Sequence, residues 1–197
     1  MILEGIVTTL NVDRSVNISP MGPRVDAEMR SFTLKPYRSS TTYQNLKRHG
    51  EGVFHVTDDV LLLAQAAVGQ PSPRPPLVSA SAIDGYILAE ACRWYAFRVS
   101  SLNDEHERTE IVVNVVDSGH LRDFFGFNRG KNAVLEAAIL ATRTHLLPPS
   151  EILAQFQSLK ILVDKTGGDR EHTAFQFLEN YVNLALEERS KGKVSAS

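Results

Sequence analysis

The sequence predicts an α+β protein: a β-rich unit to about residue 120, then a unit of three helices. Short runs of β-branched and aromatic residues recur through the first part, punctuated by turn-forming residues. Beyond His120 the strand signals stop, and alanine- and leucine-rich stretches at helical spacing take over. Six or so strands with helices interspersed favour a closed or split barrel over a parallel α/β sheet.

Residues 2–10, ILEGIVTTL, suit a strand. NVDRS has turn composition, and VNISPMGPRVD is a second strand interrupted by Pro20 and Gly22. That interruption predicts a sheet edge, a bulge, or close approach to another backbone. SFTLKPYR is a third strand, and Thr41–His49 forms a helix stopped by Gly50. GVFHVTD is another strand, followed by a short apolar helix capped by Asp58 or Asp59 and ending at Gly69.

GQPSPRPP is a loop, because four of its eight residues are proline. It is expected to lie within a domain, since strand-like sequence resumes after it. ACRWYAFRVSSL and RTEIVVNVVDS flank NDEHE as a long hairpin. KNAVLEAAILATRTHLL then reads as one helix stopped by Pro148 and Pro149. SEILAQFQSLKILVDK opens with Ser150 as its cap and ends near Gly167 and Gly168, and REHTAFQFLENYVNLALEER is the third helix. The expected division is a barrel over 1–120, a helical unit over 121–190 and a disordered tail over 191–197.

Composition narrows the function. A net charge of -2 gives no electrostatic reason to expect nucleic acid or an acidic membrane as partner. No apolar run approaches the roughly 20 residues that span a bilayer. MILEGIVTTLNVDR lacks the features of a signal peptide, and the one cysteine, Cys92, fits a reducing compartment, so a cytoplasmic location is expected. Cys92 lies in an apolar, strand-like run and reads as a buried structural thiol. The six histidines show no metal-binding spacing, and no dinucleotide or P-loop signature occurs, so no metal is expected and no catalytic acid or base is assigned.

Three stretches are candidate sites. In YRSSTTYQNLKRHG, Arg38 precedes Ser39, Ser40, Thr41 and Thr42 at a helix start. Unpaired amides, the macrodipole, a guanidinium fork and hydroxyls together suit an oxyanion such as phosphate. Taken alone, the stretch also reads as an N-cap beside a solvated loop. In VNISPMG, Asn17, Ile18, Ser19, Pro20 and Met21 offer small side chains and accessible backbone to the edge of a flat heterocycle, or form an ordinary strand with a bulge. In FFGFNRGK, Arg129 and Lys131 sit at a helix start where an anion would offset their charge. Phe124, Phe125 and Phe127 either stack on a planar substrate or plug the core between barrel and helices.

Thr8-Thr9 on the first strand, NISPMG on the second, and the Arg-Ser-Ser-Thr-Thr cluster before YQNLKRHGEGVFHV together resemble the FMN-binding split-barrel superfamily of flavin reductase-like proteins. The resemblance covers roughly residues 1–120, carried by order and spacing. The later helices resemble an uncharacterised branch with a C-terminal helical extension, linked to one-carbon metabolism with methanopterin-type carriers. The resemblance implies FMN as cofactor, its phosphate on Arg38, Ser39, Ser40, Thr41 and Thr42, and its ring along Asn17, Ile18, Ser19, Pro20 and Met21.

It further implies a homodimeric oxidoreductase, passing hydride through flavin N5 from NAD(P)H or a pterin-type carrier to a small heterocyclic or carbonyl substrate. Phe127, Arg129 and Lys131 are the candidate substrate contacts. The alternative is a non-catalytic flavin- or pterin-binding module. One departure stands out: the superfamily's first turn contains Asp-Gly, and NVDRS has no glycine.

Overall fold

The computed structural model describes residues 1–69 and 71–194. They form two compact units, one of residues 1–58 and 73–124, the other of residues 59–72 and 125 onward.

The first unit is a curled, seven-stranded antiparallel half-barrel. Its strands are β1 (Gly5–Leu10), β2 (Val16–Met21), β3 (Arg24–Val25), β4 (Ser31–Leu34), β5 (Glu51–Val56), β8 (Arg93–Asn103) and β9 (Glu110–His120). The order across the sheet is β2-β1-β5-β8-β9-β4-β3, so β2 is an edge strand, where Pro20 costs no ladder bond. Between β5 and β8, the short strands β6 (Leu77–Ser79) and β7 (Tyr86–Leu88) pair as a separate ribbon. Helix α1 (Thr41–His49) packs on β1 and β2.

Phe32, Phe54 and Phe97 are fully buried in the core, each stabilising by about 2–3 kcal/mol relative to exposure. Phe32 meets Phe54 and Tyr95 edge-on at 5.6 and 5.8 Å. The buried His55 ties three strands together: its Nδ1–H donates to Ile6 O at 3.1 Å, and Leu88 N–H donates to its Nε2 at 3.0 Å. Burial lowers its pKa to about 4 and keeps the ring neutral.

The first turn accommodates the missing glycine through Arg14, which adopts φ 66°. Its guanidinium makes a bidentate pair with Asp84 at 2.7 and 3.0 Å, and Asp13 Oδ1 accepts from Ser15 N at 3.0 Å. These bonds offset a left-handed conformation that costs a non-glycine residue roughly 1 kcal/mol.

The second unit contains α3 (Arg129–Ala141), α4 (Pro149–Thr166), α5 (Asp169–Val194) and also α2 (Val60–Ala67), which packs with α3 and α5. Asp59 caps α2 by accepting from Leu62 N at 3.1 Å. Helix α3 meets the end of α4 closely: a Cβ at Gly130 would lie 2.9 Å from the Gly167 backbone.

Several local expectations are corrected. The α3 helix ends at Ala141 rather than Leu147: beyond Thr142 the chain tightens, Arg143 N donating to Leu140 O at 2.9 Å and Leu146 N to Arg143 O at 2.9 Å, and Arg189 Nη1 donates to the carbonyls of Thr144 and Leu147, each at 2.7 Å. Ser150 is not the cap of α4: Pro149 starts the helix and Ser150 lies inside its first turn, since proline presets the helical φ. Cys92 is buried, as expected, but lies one residue before β8. The segment expected to be a tail begins within α5, which continues to Val194; residues 195–197 lie outside the described residues.

Candidate functional site

Ser40 has extended backbone (φ -76°, ψ 146°) and caps α1, its Oγ accepting from Tyr43 N at 3.2 Å. That leaves the amides of Thr41 and Thr42 without a hydrogen-bond partner among the described residues. The first turn of α1 carries no acidic residue, while Lys47, Arg48 and His49 occupy the last. The macrodipole is therefore matched at the C-terminal end and open at the N-terminal end. Arg38, Ser39 and Thr41 are exposed beside the open end. Two free amides, two free hydroxyls and a guanidinium form a donor set suited to an oxyanion.

The chain leading into α1 is braced by the β8–β9 connection. Arg38 N donates to Glu107 O at 2.9 Å, Thr109 Oγ1 to Pro36 O at 2.8 Å, and the Arg108 guanidinium lies 5.3 Å from the Tyr37 ring centroid. On the helix itself, Tyr43 Oη and Lys47 Nζ donate to Asp104 Oδ2 at 2.6 and 2.7 Å. The Lys47 and Tyr43 bonds lower the Asp104 pKa to about 2. No local signal in the sequence links Asp104 to this helix; the contact is made by the hairpin.

The structure brings the first two candidate stretches together. Asn17 Nδ2, on β2, donates to Thr42 Oγ1, on α1, at 3.1 Å. Thr42 is buried, so its hydroxyl serves this joint while its amide faces the mouth. The strand pleat separates the β2 residues: Asn17, Ser19 and Met21 lie on one face, Ile18 and Pro20 on the other. All five are half-buried.

Phe124, Phe125 and Phe127 are 48%, 90% and 102% exposed. At the start of α3, Asn128 Oδ1 accepts from Lys131 N at 3.0 Å, and Arg129 is exposed. The anion expected near Lys131 comes from the chain itself: Glu171 Oε1 lies 3.4 Å from Lys131 Nζ. Burial pushes the Glu171 carboxyl up, but the Gly168 N–H and the Lys131 ammonium outweigh it and hold it below the usual glutamate range.

The N-terminal domain of DUF447, described as a protein of unknown function, matches residues 3–122, and the C-terminal DUF447 domain matches residues 128–180. The chain belongs to the DUF447 family. A solved DUF447 structure, an FMN-bound protein from Methanosarcina mazei, is 25% identical with a TM-score of 0.76, covering 91% of this chain and 94% of that one.

The flavin reductase of styrene monooxygenase from Pseudomonas putida S12 is similar at 13% identity and a TM-score of 0.51, over 60% of this chain and 80% of its own. An NADH:FAD oxidoreductase from Streptomyces globisporus matches at 10% identity and a TM-score of 0.51, over 60% and 75%. These two show the fold alone, a flavin reductase-like split barrel. No curated protein matches this DUF447 chain in sequence. Among the described residues, no helix is long and apolar enough to cross a membrane.

Proposed function

We propose that this DUF447 chain binds FMN and acts as an oxidoreductase. The observation that carries the reading is the joint between β2 and the mouth of α1, where Asn17 meets Thr42 at 3.1 Å. It sets a strand suited to a heterocycle beside a donor set suited to a phosphate. The FMN-bound family member supports the same cofactor here.

Arg38, the amides of Thr41 and Thr42, and the hydroxyls of Ser39 and Thr41 hold the phosphate, with Ser40 retained as the cap. Asn17, Ile18, Ser19, Pro20 and Met21 line the ring, chiefly through the outer backbone edge of β2, because the pleat divides their side chains between two faces. When bound, FMN supplies hydride transfer at N5, and the chain supplies grip, orientation and exclusion of water.

NAD(P)H is the proposed reductant, supported by the structural likeness to an NADH:FAD oxidoreductase, with a pterin-type carrier as the other candidate. Phe127 and Arg129 are the proposed contacts for a small heterocyclic or carbonyl substrate; Lys131 contributes only by exchanging its Glu171 partner. A second copy completes the site as a homodimer, and the protein works in the cytoplasm.

The test is a visible spectrum and an FMN titration of the purified protein, followed by anaerobic addition of NADH or NADPH. The expected result is FMN binding, weaker binding of riboflavin, and bleaching of the flavin band by one of the nicotinamides. A colourless protein that ignores added FMN refutes the reading. FMN held but never reduced would make the chain a flavin-binding module instead.

A further inference from the structure

Helix α1 meets the sheet with a polar stripe. Thr42, Asn45 and Arg48 recur every three residues, and Thr42 and Asn45 are buried. Thr9 Oγ1 on β1 accepts from Asn17 Nδ2 at 3.2 Å and from Asn45 Nδ2 at 3.0 Å. Asn45 Nδ2 also donates to Asn11 Oδ1 at 2.8 Å. Arg48 Nη2 donates to Leu10 O and, at 3.4 Å, to Asn45 Oδ1.

An apolar stripe would bury similar area without matched partners. Buried polar groups are costly unless bonded, so this face is satisfied at one register of helix on sheet and penalised when it slides. Thr9, itself 3% exposed, is the shared acceptor through which the strand and helix sides of the network meet.

We infer that Thr9, with Asn45, is a positioning residue that fixes the spacing between the phosphate-holding mouth of α1 and the ring-bearing strand β2. The inference rests on the FMN reading above. Neither residue belongs to the proposed cofactor contacts; Thr9 acts through Asn17, which bonds Thr42, and Asn45 acts through Thr9. A ligand gripped at both ends gains the second contact in full only when the two grips match its length. FMN is such a ligand. Riboflavin, lacking the phosphate, depends on the ring end alone.

The experiment measures FMN and riboflavin dissociation constants by flavin fluorescence for wild type, Thr9→Val, Thr9→Ser and Asn45→Ala. Thr9→Val keeps the side-chain shape and deletes the shared acceptor. It is expected to weaken FMN about tenfold, the scale of one buried hydrogen bond, and riboflavin by less than about twofold. Thr9→Ser is expected to restore most of the FMN affinity.

A Thr9→Val protein that keeps the wild-type ratio of FMN to riboflavin affinity overturns the inference, whether both ligands bind normally or both weaken together. If Thr9→Val does not fold, Asn45→Ala is read by the same ratio. A wild type that binds FMN no better than riboflavin would overturn the phosphate assignment itself, before any variant is compared.

Discussion

Two helix mouths with basic residues beside them, those of α1 and α3, are completed differently. The mouth of α3 has Lys131 paired with Glu171, a carboxylate delivered by α5. The mouth of α1 has Arg38 exposed, no acidic residue in its first turn, and free amides at Thr41 and Thr42. Positive charge at a helix start therefore says little about ligand binding. What separates an anion site from an internal salt bridge is whether the chain has already supplied the counter-charge, and only folding reveals that.

Acid should break this comparison hardest, because it acts on the barrel that carries the open mouth. His55 is neutral in the folded protein with a pKa of about 4, against 6.5 for the free side chain. The unfolded chain gains a proton that the folded one refuses, so stability falls as pH drops from 6.5 towards 4. The full loss is about 3 kcal/mol. Denaturant titrations of the barrel at neutral and mildly acid pH measure it; a flat profile would mean that His55 is protonated in place. Glu171 acts lower, its stabilisation being lost only as pH falls through its depressed folded pKa.

Arg38→Ala is the next largest, expected to raise the FMN dissociation constant about 30-fold through loss of a charge-assisted contact. Calorimetric titration measures this, and the riboflavin constant should stay unchanged. Glu171→Gln is the converse at the closed mouth. It should cost about 1–2 kcal/mol of stability by removing the carboxylate's charge from its ion pair with Lys131, seen in denaturant unfolding, with FMN affinity unaltered. Equal FMN losses in both variants would erase the distinction between the mouths. Smallest of all, Phe125→Ser and Phe127→Ser should shift stability by less than about 0.5 kcal/mol, given their exposure; thermal melts decide.

Legibility in the sequence tracked the range of the forces involved. Helix α1 could be bounded at Thr41 and Gly50 because its cap and its left-handed stop are local signals. For β2, Pro20 and Gly22 left an edge, a bulge or a close backbone approach open, and the sheet order places the strand at the edge. The end of α3 was not legible, because the turn after Ala141 is held by Arg189, which donates to Thr144 O from 45 residues away in the chain. Likewise Thr9 and Asn45 stand within stretches that matched the superfamily, yet their joint role depends on a contact 36 residues apart. The exposure of Phe125 and Phe127 also escaped the sequence, since an aromatic cluster has the same composition inside a core or outside it.

The origin of α2 carries a practical consequence. Its apolar residues Val60, Leu63, Ala64 and Ala66 are buried among helices that the ribosome makes only much later. A chain severed after Phe124 would keep this greasy segment and lose its shelter, making it a candidate for clumping or chaperone capture. The gene offers no single place where scissors would release both halves intact.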